Sequence, residues 1–129
     1  CRIRIIVDSI EFLNFAKKII SNTSNSEIDY RQVISRSYYC AFHQVSEKAT
    51  SLGIPVNAYK GGTHSSLRQT LTELRPANPK LKGIAFRLAG FHLLRVTADY
   101  KLEDTVTEKS ANESIATCQK ILDELKLVN

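Results

Sequence analysis

The longest uninterrupted pattern in this chain runs from Tyr30 to Leu52, without a glycine or a proline. The stretch is long enough for about six helical turns, which is far more than a strand needs. It therefore predicts a long helix, with its apolar side turned to a hydrophobic core. On a helical wheel that side carries Ile34, Tyr38, Ala41, Phe42, Val45, Ala49 and Leu52.

The opposite side of this predicted helix carries residues that core packing does not require. Arg36 and His43 are seven residues apart, so their side chains lie nearly one above the other. An arginine and a histidine on an outer face are usually solvated, but here aromatic residues surround them. We therefore expect another subunit or a ligand to cover this face. The same outer half holds Gln32, Tyr39, Cys40 and Glu47.

The rest of the chain repeats the helical pattern in segments separated by polar or Gly/Pro-containing breaks. Ser26 or Asn25 is expected to cap the central helix, and Thr107 is expected to cap the last one. No segment has the alternation of a strand. These features predict an all-α fold, an antiparallel up-and-down bundle of four or five helices. Besides the central helix, the predicted helices cover about residues 2–20, 65–74, 80–101 and 108–125.

The length and charge of the chain limit its class without specifying a partner. A chain of 129 residues predicts one domain, covering residues 1–129. The chain begins with Cys1 and contains no methionine, so we expect its natural start to lie further upstream. The net charge of +5 permits a polyanionic partner such as RNA but does not require one.

The cysteines and the hydropathy favour a cytoplasmic protein. Cys1, Cys40 and Cys118 are too few and too scattered for a disulfide framework or a zinc site. Cys118 lies on the apolar stripe of the last predicted helix, which suggests a packing role. No apolar run approaches the ~18 residues of a membrane span, so no membrane association is expected.

The usual signatures of metal and cofactor enzymes do not occur. There is no phosphate-binding Gly-rich loop and no HExxH motif. His43, His64 and His92 do not have metal-ligand spacing, so neither a metal nor a cofactor is expected. His64 is interpreted as a capping or surface residue. Arg95 and Asp99 are four residues apart near the apolar side of the fourth helix, which predicts a structural ion pair.

Three sequence runs occur in an order that indicates a family. They are SRSYYCAFHQVSEKA, GTHSSLRQTL and LLRVTADYKLEDTVTEKSANESIATCQKIL. With these runs the chain resembles the HEPN (higher eukaryotes and prokaryotes nucleotide-binding) domain family over essentially its whole length. One branch of that family carries a helix similar to RSYYCAFH and, near the end of its fourth helix, a segment similar to RVTADY.

The resemblance implies a small helical bundle that dimerises through the face carrying an R-x4-6-H motif. Here the motif maps to Arg36 and His43, which are then the expected catalytic residues. In ribonuclease members the Arg and His of both subunits form one metal-independent site. Tyr39 and Ser37 are the expected substrate contacts, although Tyr39 could equally serve interface packing. Many members are toxins of toxin–antitoxin or phage-defence systems, often beside a nucleotidyltransferase antitoxin.

Two departures from the family pattern keep several functions open. Ribonuclease members often carry Asn, Asp or His directly after the Arg, whereas this chain has Ser37. Some toxins carry a modifiable Tyr where this chain has Val45. The first hypothesis is a metal-independent endoribonuclease acting as a toxin. The alternative is a non-catalytic dimer that binds nucleotide, RNA or a nucleotidyltransferase partner, and a third is a purely structural dimerisation bundle.

Overall fold

The computed structural model describes residues 7–129. Within that range the chain forms five helices and no strand, which confirms the prediction of an all-α bundle. The helices are α1 (Ile10–Ile20), α2 (Glu27–Ser51), α3 (Thr63–Thr72), α4 (Pro79–Tyr100) and α5 (Glu108–Leu125).

The long helix α2 lies at the centre of the bundle. It packs against α1, α4 and α5, while α3 packs on α4. Val33 is buried with residues of α1 and α5, and Ile34 is buried with residues of α4 and the segment that follows it. Because neighbouring helices cover α2 on more than one side, more than half of its circumference is buried.

This burial corrects one prediction for α2. Cys40 was expected on the outer half of the helix, but it is fully buried and forms a side-chain contact with Cys118 of α5. A wheel that assumes a single core face places Cys40 outside. Because α5 also packs on that side of α2, the Cys40 position belongs to the core.

Most helix ends follow local signals, but α1 begins later than its sequence pattern predicts. α1 begins at Ile10; residues 7–9 are not helical, and residues 2–6 of the predicted helix lie outside the described range. Asp8 Oδ1 accepts a 3.0 Å hydrogen bond from the N–H of Ile10, so a polar turn begins the helix. The cap at Thr107 is confirmed, since its Oγ1 accepts a 3.2 Å bond from the Ser110 N–H.

A buried arginine that the sequence analysis did not identify joins α2 to the end of α4. Arg31 is 5% exposed. Its Nη1 donates to the carbonyls of Thr97, Ala98 and Lys101 at 3.0 to 3.2 Å, and its Nη2 lies 3.0 Å from Glu27 Oε2. A cation at a helix C-terminus satisfies free carbonyls and complements the helix dipole. Arg31 therefore caps α4 from a neighbouring helix.

None of the helices between residues 7 and 129 combines the length and the apolar character needed to cross a bilayer.

Candidate functional site

The part of α2 that the other helices leave uncovered carries Arg36, Tyr39 and His43, which we call the α2 outer surface. The Arg36 guanidinium lies 5.6 Å from the ring centre of Tyr39 and 5.8 Å from that of Phe12 on α1. The His43 ring stacks near the same two rings, at 5.9 Å from Phe12 and 6.2 Å from Tyr39. Arg36 and His43 are thus neighbours around two shared aromatic rings, as their spacing predicted.

The Arg95–Asp99 pair of α4 borders this surface. Arg95 Nε lies 2.8 Å from Asp99 Oδ2, and the two side chains are 12% and 23% exposed. The contact is an ion pair without hydrogen-bond geometry, because Arg95 Nε has no hydrogen-bond partner. Arg95 also donates to the Tyr39 hydroxyl, and Ser35 Oγ donates to Asp99 Oδ2 at 3.1 Å. The ion pair therefore forms where it was predicted and also binds α4 to α2.

A second polar cluster lies beside the α2 outer surface, where α2, α3 and α4 meet. The Tyr38 side chain is 1% exposed, and its hydroxyl lies 2.6 Å from His64 Nδ1 and 3.2 Å from His92 Nδ1. The two imidazole centres are 5.2 Å apart. His64 is therefore neither a cap nor a solvated surface residue. Its ring is half-buried, and it anchors the first turn of α3 to the core.

Burial and nearby charges keep the groups of this cluster neutral near pH 7. Burial raises the pKa of Tyr38 to about 12, so the phenol keeps its proton. Burial, followed by the charges of His92 and Arg95, lowers the pKa of His64 to about 4. Burial and then the charge of Arg68 also lower the pKa of His92. Both imidazoles are therefore uncharged hydrogen-bonding groups.

The arginines around these rings outnumber the carboxylates that they contact. Within residues 7–129, Arg95 pairs with Asp99, whereas Arg36 and Arg68 form no ion pair. Arg36 Nε and Arg68 Nη1 are inaccessible to solvent and have no hydrogen-bond partner. Buried charge without compensation is costly in a folded protein. The region is therefore electropositive and suited to an anionic group.

Comparison with known families identifies the chain. The model of the HEPN domain matches residues 8–128, which is nearly the whole chain. The chain belongs to the HEPN family. The assignment supports a role connected with nucleotides or RNA. No curated protein and no solved structure matches this HEPN domain significantly.

One predicted substrate contact of the HEPN domain is not at this surface. Ser37 is fully buried, and its hydroxyl has no hydrogen-bond partner. It follows Arg36 directly, and a step of one residue along a helix turns the side chain toward the core. The expectation that Ser37 contacts substrate is therefore corrected.

Residues 7–129 contain no cluster of metal ligands, and a cavity among them lies away from the candidate site. Among residues 7–129, no three His, Cys, Asp or Glu side chains converge as metal ligands. A cavity of about 530 Å³ lies between α1, α2 and α5. None of the residues that line it belongs to the α2 outer surface, so the candidate site is separate from this cavity.

Proposed function

We propose that this HEPN domain is a metal-independent endoribonuclease with Arg36 and His43 as its catalytic residues. The observation that supports it most is their arrangement: the two residues of the family motif contact the same two rings, Phe12 and Tyr39. Both side chains are only partly buried, so substrate can reach them. The electropositive surroundings suit the phosphates of an RNA strand.

The proposed reaction uses the nucleophile that RNA itself carries. The 2′-oxygen attacks the adjacent phosphorus, the bond from phosphorus to the 5′-oxygen breaks, and a 2′,3′-cyclic phosphate and a 5′-hydroxyl remain. His43 exchanges the proton that leaves the 2′-hydroxyl or enters the 5′-oxygen, since histidine is the side chain that most often acts as a general acid or base. Arg36 holds the phosphate through two N–H groups and stabilises its increasing negative charge.

The proposal includes a homodimer through the face that carries Arg36 and His43. A two-fold axis there brings two arginines and two histidines into one site, and one subunit then supplies the base while the other supplies the acid. In this proposal the protein is the toxin of a toxin–antitoxin or phage-defence pair. A nucleotidyltransferase antitoxin is the proposed regulator.

A second candidate function is a dimer that binds RNA, nucleotide or a nucleotidyltransferase without cleaving. One observation favours it specifically. The residue after Arg36, which is often a polar catalytic neighbour in ribonuclease members, is here the buried Ser37. The site therefore lacks a polar group that ribonuclease members often present.

A cleavage assay in excess EDTA separates the two functions. We expect the parent protein to cut RNA without divalent metal and to leave 2′,3′-cyclic phosphate ends, identified by mass spectrometry. His43→Ala and Arg36→Ala should each lower the cleavage rate at least about a hundredfold, the usual contribution of a proton-transfer or charge-stabilising group.

Matched controls make this assay decisive. Arg87→Ala removes the same charge from an arginine that pairs with Glu124 of α5 at 2.8 Å, away from the α2 outer surface, and should cleave like the parent. Sedimentation should show that the His43 and Arg36 variants keep the oligomeric state of the parent. Full activity in His43→Ala, or loss of activity with EDTA, would exclude the mechanism. An inactive parent that still binds RNA would favour the second function.

A further inference from the structure

The region next to Arg36 contains more positive charge than one scissile phosphate uses. Arg68 and Arg95 extend from α3 and α4 toward Tyr38 and Tyr39. Arg68 lies one helical turn after His64 on the same face of α3, and His64 Nδ1 lies 2.6 Å from the Tyr38 hydroxyl. The Arg95 guanidinium lies 4.9 Å from the Tyr39 ring centre, and its Nε lies 2.8 Å from Asp99 Oδ2.

The donors of these two arginines are only partly used inside the chain. Arg68 Nη1 is buried without a partner, although a guanidinium has five N–H groups that require acceptors. In contrast, Arg31 Nη1 donates to the carbonyls of Thr97, Ala98 and Lys101 at the end of α4. Arg68 Nη1 itself is inaccessible, but the Arg68 side chain is only partly buried, so its exposed N–H groups can donate to an acceptor from outside the chain.

The imidazoles next to Arg68 add hydrogen-bonding groups without adding charge. The single hydroxyl proton of Tyr38 can serve only one of the two Nδ1 atoms, at 2.6 Å in His64 and 3.2 Å in His92. The other imidazole must donate its own Nδ1–H to the phenol oxygen. The pair therefore holds opposite tautomers, and one of the two rings retains an Nε2–H donor.

We propose that Arg68 and Arg95, with His64 and His92 as hydrogen-bond partners, form a second phosphate subsite beside Arg36. The occupant is an internal phosphate of the RNA strand, one neighbouring the scissile phosphate. The choice of RNA rests on the proposed function, whereas the anion site rests on the geometry. Tyr39 contacts the guanidiniums of both Arg36 and Arg95, at 5.6 and 4.9 Å from its ring centre. Because both guanidiniums flank the same ring, neighbouring phosphates of one strand can contact them together.

Binding of an uncleavable strand tests the subsite independently of catalysis. The probe is a short single-stranded RNA in which every 2′-hydroxyl is methylated, with a 5′-hydroxyl end. Arg68→Gln should weaken its binding about tenfold, the usual effect of losing a charge-assisted hydrogen bond. The slope of log affinity against log salt should fall by about 0.7, corresponding to one phosphate contact of a single strand. Arg95→Gln should behave in the same way.

Two controls separate a ligand site from a structural role. Arg87→Gln removes the same charge outside the subsite, and its affinity should stay within about twofold of the parent. Without ligand, Arg68→Gln should melt at or above the parent temperature, because it removes an unsatisfied buried donor. Pyrophosphate should raise the melting temperature of the parent more than that of Arg68→Gln. If Arg95→Gln does not fold, the RNA affinity of Arg68→Gln alone decides whether the subsite exists.

Each outcome decides for or against the subsite. Equal affinity in the parent and in Arg68→Gln overturns it, even if the parent cleaves RNA and the proposed function stands. Arg68-dependent binding by a protein that does not cleave supports it and rejects the ribonuclease. A loss of affinity seen only for a 5′-phosphorylated strand, or only for ATP, overturns the assignment to an internal phosphate, because it places a terminal or free phosphate at Arg68 instead.

Discussion

Tyr39 is the side chain around which the charged groups of the candidate site are arranged. Its ring contacts the guanidiniums of Arg36 and Arg95 and stacks near His43, and its hydroxyl accepts a hydrogen bond from Arg95. Cation–π contacts with partly desolvated arginines stabilise such an arrangement. Because these groups already occupy the surroundings of the ring, its contacts favour positioning Arg36 and His43 over stacking on a base.

Asp99 is the residue whose loss should leave Arg95 uncompensated. We expect Asp99→Ala to lower the free energy of unfolding by about 2–3 kcal/mol, because Arg95 is 12% exposed and would lose its carboxylate partner. The measurement is urea unfolding at pH 7. Glu124→Ala is the control, since its pair with Arg87 is about one-third exposed and should contribute less than about 1 kcal/mol. An unfolding curve of Asp99→Ala that overlies the parent would show that Asp99 does not compensate a buried charge.

At the scale of the elements, α3 is a short helix held by its buried face. Leu67 and Leu71 enter the core, and the His64 side chain hydrogen-bonds to Tyr38 of α2. A helix of this length is marginal on its own, so its tertiary contacts determine its stability. Protonation of His64 would put a charge beside Arg68 and Arg95 and weaken those contacts.

The stability of this contact should depend on pH in a defined direction. The unfolded chain binds a proton at His64 near pH 6.5, whereas the folded chain binds it only near pH 4. The unfolded state therefore holds more protons between these values, and stability falls as the pH falls through this window. With allowance for partial exposure, we expect about 1 kcal/mol to be lost between pH 7 and pH 5 through His64.

Urea unfolding of the parent and of His64→Gln at pH 7 and pH 5 measures this contribution. The variant should lose less stability between the two pH values, because its side chain does not titrate. An identical loss in both proteins would mean that His64 titrates normally in the folded state. Carboxylates contribute equally to both proteins and cancel in the difference.

At the scale of the whole molecule, the outer side of α4 carries an exposed apolar stripe. Phe86, Leu93 and Tyr100 recur every seven residues and are 62%, 69% and 67% exposed. The Arg95 guanidinium lies 5.4 Å from the Tyr100 ring centre, so the stripe ends at the candidate site. Contiguous exposed apolar residues commonly mark a protein interface. A second copy that covers the stripe would reach the site as well.

We therefore expect the parent to sediment at micromolar concentration as a dimer, with twice the 14.5 kDa mass of the chain. Leu93→Lys should shift the equilibrium toward monomer and lower the cleavage rate with it, because each half-site is then separate. Leu127→Lys is the control, since Leu127 is an exposed apolar residue beside the start of α4, away from Tyr100, and its substitution should leave the dimer intact. A parent that sediments as a monomer would contradict both the dimer and the composite site.

Features that depend on short stretches of chain can be predicted from the amino-acid sequence. Apolar periodicity sets the helical class, and the cap at Thr107 follows from one side chain and the N–H three residues on. Arg36 and His43 share an arc of α2 because seven residues make nearly two helical turns. The Arg95–Asp99 pair forms because residues four apart are neighbours on a helix. Helix geometry alone is enough for each of these.

The sides of α2 that are covered, and the distant residues that come into contact, depend instead on how the helices pack together. Cys40 and Ser37 are buried because helices pack on several sides of α2. The pattern of residues within α2 does not show how many helices will pack against it. Tyr38, His64 and His92 come from three helices, and the Tyr38 hydroxyl bonds to partners 26 and 54 residues away along the chain. Burial then determines their protonation, because desolvation acts on a side chain only after packing has removed its water.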